Sequence, residues 1–228
     1  MRHFVNQALI RRNSLIGKAL VWGGLAIVIG SVLISLQSPD VLNPYVFGGF
    51  LGVIATQIGT LLTNRWGRSP RLDEVIGNAL KGMDERFVFF SYILRVDHAL
   101  LSPAGTFVLI PRPEDGVIDY QDGDWLQDRP KRGLLQRGGR RSLSGFERQA
   151  RTDSRKLQRK LAKHLSEESI PEVQPIFVFF HPDAQIQVTD SPFPAVHVKK
   201  LKAWLRKLPK GISLPSDQVD ALIATLGY

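Results

Sequence analysis

Cysteine is absent from this chain of 228 residues. The absence excludes a disulfide framework and a zinc site held by thiolates, and it fits a reducing compartment. Acidic residues are in the minority, with 21 aspartates and glutamates against 30 lysines and arginines, so the formal net charge is +9. The length allows one good-sized domain together with a membrane anchor.

Several catalytic motifs are also missing. The sequence has no Walker-type or dinucleotide-binding glycine pattern, and neither Ser142 nor Ser144 lies in a GxSxG elbow. The five histidines are scattered, without a pair at the helical spacing that metal ligands need. The common motifs of nucleotide hydrolysis, serine hydrolysis and histidine-held zinc therefore give no lead to the function.

Charge is lacking in two stretches near the N-terminus, residues 19–36 and 45–62. Each stretch reaches the length of about 18 residues at which an apolar helix can cross a bilayer. Turn-forming residues at 38–40 and 43–44 join them through a short connection. We therefore predict that residues 1–66 contain a transmembrane helical hairpin.

Basic residues flank the two apolar stretches, while the connection between them contains no lysine or arginine. The flanking residues are Arg2, Arg11, Arg12, Lys18, Arg65, Arg68 and Arg71. Positive charge stays on the cytoplasmic side of a membrane. The sequence therefore predicts a two-pass protein of the cell membrane, in contact with the lipid bilayer, with both termini and the following domain in the cytoplasm.

Gly48 and Gly52 form a GxxxG pair in the second stretch, and Gly59 continues the same face. Small residues at this spacing let two helices approach closely. Two interpretations stay open. The face packs against the first stretch of the same chain, or it forms the contact of a homodimer.

Residues 71–228 alternate between helical and strand patterns, which predicts an α/β domain with a mixed sheet. The predicted helices cover 71–82, begin at Phe146 and Val198, and end the chain from about Pro215. The predicted strands are 87–94, 97–101, 106–110, 117–120, 175–180, 186–188 and 195–198. Residues 121–145 are rich in glycine and charge and are predicted to form a loop.

Four segments of this domain resemble the nuclease-related domain family, NERD, whose fold is restriction-endonuclease-like. They are VDHALL at 96–101 with FVLI at 107–110, GVI at 116–118, the Gln149-Ala150 pair, and the ending from PIFVFFHPDAQIQV at 175–188 to AVHVKKLKAWLRKLP at 195–209. The segments occur in the order of the family. The resemblance implies a nuclease-like domain with a site for Mg²⁺ or Mn²⁺.

The resemblance also implies where the site lies. An acidic residue comes from the first helix, here Glu74 or Asp73, and Asp97 and Gln149 match two further members. A Glu-x-Lys pair is expected at the end of the strand after Asp97, but Ile110 and Arg112 stand at those positions.

This departure changes the expected chemistry. Isoleucine cannot bind a metal, and arginine stabilises phosphate charge but cannot act as a base near neutral pH. Glu114 and Asp115 follow closely and offer replacement carboxylates. The alternatives are a degenerate site that has lost catalysis, or a rearranged site of Asp97, Glu114 or Asp115, Gln149 and Arg112 that still uses Mg²⁺ or Mn²⁺, with Asp97 and Glu114 as possible metal ligands.

Between residues 129 and 163 the chain carries 13 basic residues and two acidic ones. The predicted nucleic-acid contacts are Arg140, Arg141, Arg148, Arg151, Arg155, Lys156 and Arg159. Such a patch suits the phosphate backbone of nucleic acid, and it also suits anionic lipid headgroups.

Three functional hypotheses follow. The first is a membrane-anchored, degenerate nuclease that binds nucleic acid or another polyanion. The second is a metal-dependent nuclease with a rearranged active site. The third is a membrane scaffold that binds anionic lipid.

Overall fold

The computed structural model describes residues 1–37, 42–129, 139–165, 172–209, 211 and 214–228. The chain folds as two compact units. One unit joins Met1–Val5 to Leu72–Tyr228, and the other is Asn6–Arg71. The sequence places residues 1–66 in one N-terminal segment, whereas the structure groups the first five residues with the later domain.

The Asn6–Arg71 unit consists of two long helices, α1 (Gln7–Gln37) and α2 (Leu42–Trp66). Both are long and apolar enough to cross a membrane. Their large apolar side chains point outward, and Trp22 and Phe47 are 70% and 69% exposed. A core helix of a soluble protein would cover such side chains, so the outward apolar surface favours a lipid environment.

Glycines let α1 and α2 pack closely against each other. A Cβ atom added to Gly24 would lie 2.6 Å from the carbonyl oxygen of Gly52, and one added to Gly48 would lie 2.6 Å from the hydroxyl of Ser31. The GxxxG face of the second helix therefore packs against the first helix of the same chain, as the intrachain interpretation predicts.

The other unit is an α/β domain. Its strands are β1 (Arg2–Val5), β2 (Val88–Ser91), β3 (His98–Ser102), β4 (Gly105–Arg112), β5 (Gly116–Gln121), β6 (Asp124–Arg129), β7 (Gly139–Ser142), β8 (Val173–Phe179), β9 (Ala184–Ile186) and β10 (Ala195–His197). Its helices are α3 (Leu72–Leu80), α4 (Phe146–Leu161), α5 (Val198–Lys207) and α6 (Ser216–Thr225).

The main sheet has the strand order β1-β2-β3-β4-β8-β10. β3 is antiparallel to both neighbours and the other pairs are parallel, so the predicted mixed sheet is confirmed. The five remaining strands therefore end at one edge, where β3 begins. We call this the carboxyl edge, and it is marked by Val5, Ser91, Arg112, Phe179 and His197.

β1 is an element that the sequence analysis did not predict. Its His3 stacks on Phe89 with ring centroids 4.6 Å apart, and its Nε2 lies 3.2 Å from the hydroxyl of Ser91. Burial lowers the pKa of His3, although the charge of Asp73 opposes the shift, so the packed ring favours its neutral form. Asn6 alone separates β1 from α1.

The predicted loop at 121–145 is wrong where it covers β6 and β7. These strands belong to a second sheet of order β7-β6-β5-β9. Asp122 and Gly123, with φ of +52° and +84°, form the two-residue turn between β5 and β6. Trp125 and Gln127 are buried and alternate with the more exposed Asp124, Leu126 and Asp128, so the charges of this region concealed a strand pattern.

Most other predicted elements agree with the structure to within a few residues. The strand predicted at 87–94 is shorter because Tyr92 and Arg95 adopt φ of +62° and +61°, which ends the extended backbone at Ser91. The predicted strand at 186–188 lies slightly earlier, as β9. The turn predicted at 38–40 and the central part of the predicted loop, 130–138, lie outside the described residues.

The main sheet has an apolar cluster on each face. Along β8, Phe177 and Phe179 belong to the cluster that includes residues of α4 and α6, while Ile176 and Val178 belong to the cluster that includes α3 and α5. Both faces of the sheet are thus covered, which explains why β8 reads as a nearly continuous apolar run.

Close packing of α1 and α2 can be tested with adjacent glycines. Gly24→Ala is expected to destabilise the full chain by about 1–3 kcal/mol, because the new Cβ would lie 2.5 Å from the hydroxyl of Thr56. Gly23→Ala is the matched control, since no atom lies within 4 Å of its Cβ position. Thermal unfolding in detergent measures both, and equal midpoints would contradict the packing.

Candidate functional site

A groove of about 490 Å³ lies at the carboxyl edge, between the segment that leads into β3 and the first turns of α4. We call it the front groove. Its lining residues are Arg95, Val96, Asp97, Gly145, Arg148, Gln149, Thr152, Asp153 and Lys156. The groove thus unites Asp97 and Gln149, two residues that the sequence singled out.

Local backbone geometry positions these two side chains. Asp97 directly precedes β3, and its carbonyl accepts a 2.8 Å hydrogen bond from the amide of Tyr92, which closes the turn between β2 and β3. Gln149 lies in the first turn of α4, which begins after Gly145 in a left-handed conformation with φ of +89°. A residue with a Cβ would be strained there, so the glycine fixes where α4 begins.

A rear groove of about 310 Å³ continues from the front groove and shares Gly145 and Gln149 with it. Its other lining residues are Arg112, Glu114, Arg141, Ser142, Leu143, Ser144 and Phe146. Asp97 thus lines the front groove, Arg112 lines the rear groove and Gln149 lines both, and we call the two adjoining grooves together the depression. Arg112 reaches it because β4 ends at the carboxyl edge.

Arg112 is held on three sides. Its Nη2 donates a 2.9 Å hydrogen bond to Oε1 of Gln149, and its guanidinium carbon lies 3.6 Å from the ring centroid of Phe146 and 5.3 Å from that of Phe177. Burial lowers the pKa of Arg112, and the charges of Glu114 and Asp153 oppose this shift. Because arginine titrates far above neutral pH, the guanidinium keeps its charge.

The acidic residue expected from the first helix is not part of this depression. Neither Glu74 nor Asp73 is among the residues that line the two grooves. Asp73 is instead buried where its charge acts on His3. Of the residues that the family resemblance singles out, the two grooves therefore contain Asp97, Gln149 and Arg112 but neither acidic residue of the first helix.

The donors around the grooves do not fit a divalent metal. No group of three histidine or acidic side chains with metal-binding geometry occurs among the described residues. Ile110 is 2% exposed and packs in the core. Mg²⁺ needs several oxygen ligands, usually from more than one carboxylate. In the grooves Gln149 is bonded to the cation of Arg112, and Asp153 lies 2.8 Å from the ammonium group of Lys156.

Asp115, one of the two replacement carboxylates, is bound by side chains of β6. Its Oδ1 accepts hydrogen bonds of 2.6 Å from Arg129 and 2.9 Å from Gln127. Partial burial acts to raise the pKa of Asp115, but the hydrogen bond and charge of Arg129 outweigh it and lower the pKa. Glu114 lines the rear groove, and one of its carboxylate oxygens is buried without a hydrogen-bond partner among the described residues.

The basic residues of α4 do not form a single face. Arg148 and Lys156 line the front groove, whereas Arg151 and Arg155 line a different depression beside Phe193. Arg148 and Arg155 make no ion pair with a described residue, while Lys156 lies 2.8 Å from Asp153 and Arg151 lies 3.7 Å from Glu147. The predicted patch is therefore two surfaces.

The remaining predicted nucleic-acid contacts are distributed differently. Arg140 is occupied by Gln121, with a hydrogen bond of 2.6 Å, and by Asp119 at 3.3 Å. Arg141 lines the rear groove, and Arg159 is exposed outside both grooves. Arg141 is therefore the better placed of the two adjacent arginines for a ligand in the grooves.

Sequence reasoning missed Arg95, Thr152 and Asp153 as site residues. Arg95 lies two residues before Asp97, and its left-handed backbone brings it into the front groove. Thr152 and Asp153 follow Gln149 by one helical turn, so the helical period could have found them. With Arg95, Arg148 and Lys156 against two aspartates, the front groove carries a net positive charge and can attract phosphate.

The stacked position of Arg112 predicts that lysine cannot replace it. Arg112→Lys keeps the charge but loses the planar contact with Phe146 and the hydrogen bond to Gln149, so we expect a loss of stability of about 1–2 kcal/mol. Arg141→Lys in the same groove is the control, because Arg141 has no hydrogen bond to a described side chain. Equal thermal midpoints for the two variants would show that the stacking does not stabilise the domain.

Comparison of the chain with family models, with curated proteins and with solved structures gave no match.

Proposed function

We propose that this chain is a membrane-anchored protein whose α/β domain has a NERD-like, restriction-endonuclease-like fold and binds nucleic acid without cleaving it. One observation carries the proposal. Asp97, Gln149 and Arg112, which are far apart in the sequence, line the two adjoining grooves, whose other charged residues are mostly basic.

The positions of these residues agree with what the family resemblance implies. Asp97 precedes β3, Arg112 ends β4 and Gln149 lies in the first turn of α4. All three lie at the carboxyl edge, which agrees with the placement that the resemblance implies for these positions. This agreement supports the proposal of a restriction-endonuclease-like fold.

Binding without cleavage follows from the identity of two residues. Ile110 is buried in the core and offers no metal ligand, and Arg112 places a permanent cation where the resemblance implies a lysine. A guanidinium recognises phosphate oxygens through paired hydrogen bonds. The depression is therefore suited to hold a phosphodiester and poorly suited to activate water against it.

The partner is inferred from the lining of the front groove. It combines Arg95, Arg148 and Lys156 with small polar residues, and it contains no aromatic side chain among its described lining residues. Single-stranded nucleic acid is usually bound by stacking of bases on aromatic rings. The groove instead favours contacts with the phosphate backbone, which are independent of sequence.

A metal-dependent nuclease with a rearranged site is the second candidate. Glu114 favours it, because its partly unpaired carboxylate lines the rear groove together with Arg112. In this function Asp97 and Glu114 would both have to reach one metal ion. Among the described residues no group of three acidic or histidine side chains could hold such an ion, which makes binding the better supported function.

The membrane arrangement is part of the proposal. The apolar runs of α1 and α2 would cross the bilayer, and basic residues flank them only on the side of the domain. β1 pairs with β2, so the domain includes the chain on both sides of the hairpin. Both termini and the domain would therefore lie on one face of the membrane, the cytoplasmic face.

The absence of native cysteine makes this topology directly testable. A single cysteine at exposed Thr225 in α6 is expected to resist a membrane-impermeant thiol reagent in intact cells and to react after permeabilisation. Ser38→Cys, between the two helices, is expected to react in intact cells. Labelling of Thr225→Cys in intact cells would overturn the proposed orientation.

Nucleic-acid binding predicts a salt dependence that individual arginines control. The purified full chain should bind fluorescent duplex DNA with an affinity that falls steeply with salt. Replacing Arg95 and Arg148 with glutamine should reduce the slope of log affinity against log salt by roughly 1.8, because each phosphate contact contributes about 0.9. Fluorescence anisotropy across a sodium chloride series measures the slope.

The control variant replaces Arg151 and Arg155, which change the net charge equally but line the other depression. An equal change of slope in both double variants would show that the front groove is not the DNA-binding surface. No binding at low salt would contradict the proposed function. Incubation with Mg²⁺ or Mn²⁺ tests the second candidate. DNA cleavage that Asp97→Ala abolishes would establish the nuclease.

A further inference from the structure

A third groove, of about 650 Å³, lies along the outer side of α5. We call it the α5 groove. It is bounded by α5 and by the strands β9 and β10, and its ionisable lining residues are His197, Lys199, Lys200 and Lys207. No acidic side chain is among its lining residues in the described part of the chain. The groove is therefore cationic, and it is separate from the front and rear grooves.

The lysines of this groove have no partners in the described structure. Lys199, Lys200 and Lys207 make neither a side-chain hydrogen bond nor an ion pair with a described residue. Lys202 on the same helix differs, because its ammonium group donates a 2.5 Å hydrogen bond to the carbonyl oxygen of Lys81. The three groove lysines are thus available to a ligand, whereas Lys202 helps to hold α5 in place.

Two of these lysines lie in an electrostatically unfavourable position. Lys199 and Lys200 belong to the first turn of α5, which contains no acidic residue. The positive end of the helix dipole lies there, so cations in this turn lower helix stability unless an anion is near. The histidine His197 caps the turn by accepting a hydrogen bond from the Lys199 amide, and this cap adds no negative charge.

Trp204 supplies the apolar part of the groove. It is partly buried against the cluster that includes α3 and α5, and it lines the groove one turn after Lys200. Tryptophan and lysine together are typical of protein surfaces at the membrane interface, because the indole ring is amphipathic and the lysine stem is apolar below a charged end.

The proposed membrane anchor keeps a lipid surface close to the domain. Val5 ends β1 and Gln7 begins α1, so only Asn6 joins the domain to the first apolar helix. Anionic phospholipid headgroups are therefore a source of phosphate that stays within reach of the domain.

We infer that the α5 groove binds the phosphate headgroup of anionic phospholipids in the membrane that α1 and α2 cross. The inference rests on the membrane anchor of the proposed function. It does not depend on nucleic-acid binding by the front groove. Basic residues near an anionic membrane surface are attracted to it, so the three groove lysines together favour the domain at the lipid surface.

The experiment uses the full chain with one fluorophore on Ala203→Cys, an exposed residue that lines the groove. The protein is reconstituted into vesicles of phosphatidylcholine alone or with 30 mol% phosphatidylserine, a chosen composition on the order of that of anionic membranes. Anionic lipid should shield the label from an aqueous quencher, and high salt should reverse the shielding. A label on Ala224→Cys in α6, also exposed, is the control for general crowding.

Variants separate the groove from the general positive charge of the protein. Lys199→Gln, Lys200→Gln and Lys207→Gln together should lower the ratio of docked to undocked domain roughly a hundredfold in anionic vesicles. The triple variant Arg159→Gln, Lys160→Gln and Lys163→Gln removes the same charge from α4 and should leave the ratio unchanged. Equal losses in both variants would overturn the inference.

The outcomes also distinguish the lipid site in the α5 groove from the membrane anchor on which it rests. If alkaline carbonate washes the chain off the vesicles, α1 and α2 do not anchor it in the bilayer. If the chain stays in the vesicles but phosphatidylserine does not change the quenching of the label on Ala203→Cys, the lipid site is contradicted and the membrane anchor is not. A label that responds to duplex DNA or to inorganic phosphate, and not to phosphatidylserine, would assign the groove to a soluble phosphate instead.

Discussion

The parallel pairing of β1 with β2 is the contact on which the organisation of the chain depends. It places Met1–Val5 inside the α/β domain, before the two apolar helices begin. The helical hairpin therefore lies between two segments of the same domain. His3 stabilises this strand by packing on Phe89 and lying close to the hydroxyl of Ser91. Burial lowers the pKa of His3 and so favours the neutral ring, which packs against an apolar side chain at lower cost than a charged one.

Arg112 determines what the candidate site can do. A half-buried cation costs free energy unless its surroundings compensate, and here Phe146 and Gln149 provide a ring face and a hydrogen bond. The arrangement supplies a fixed positive charge at the end of β4. In the proposed function this guanidinium would contact phosphate oxygens through paired hydrogen bonds.

The distribution of charged residues along the sequence did not predict which of them share a surface in the fold. The basic residues of α4 alternate around the helix, so Arg148 lines the front groove while Arg151 faces Phe193. Arg140 is neutralised by side chains of β5, which no local pattern reveals. Likewise, β6 carries three charged residues on its outer positions, and only its inward Trp125 and Gln127 show that the segment is a strand.

The sequence by itself determined the two long apolar helices, most strands and helices of the domain and the mixed character of its sheet, because hydrophobic periodicity and length are local properties. It also identified Asp97, Arg112 and Gln149 as candidates. The tertiary structure decided which residues meet. β1, the second sheet and the α5 groove depend on pairing between distant segments, and such contacts are selected by packing and hydrogen bonding across the whole domain, which local patterns do not encode.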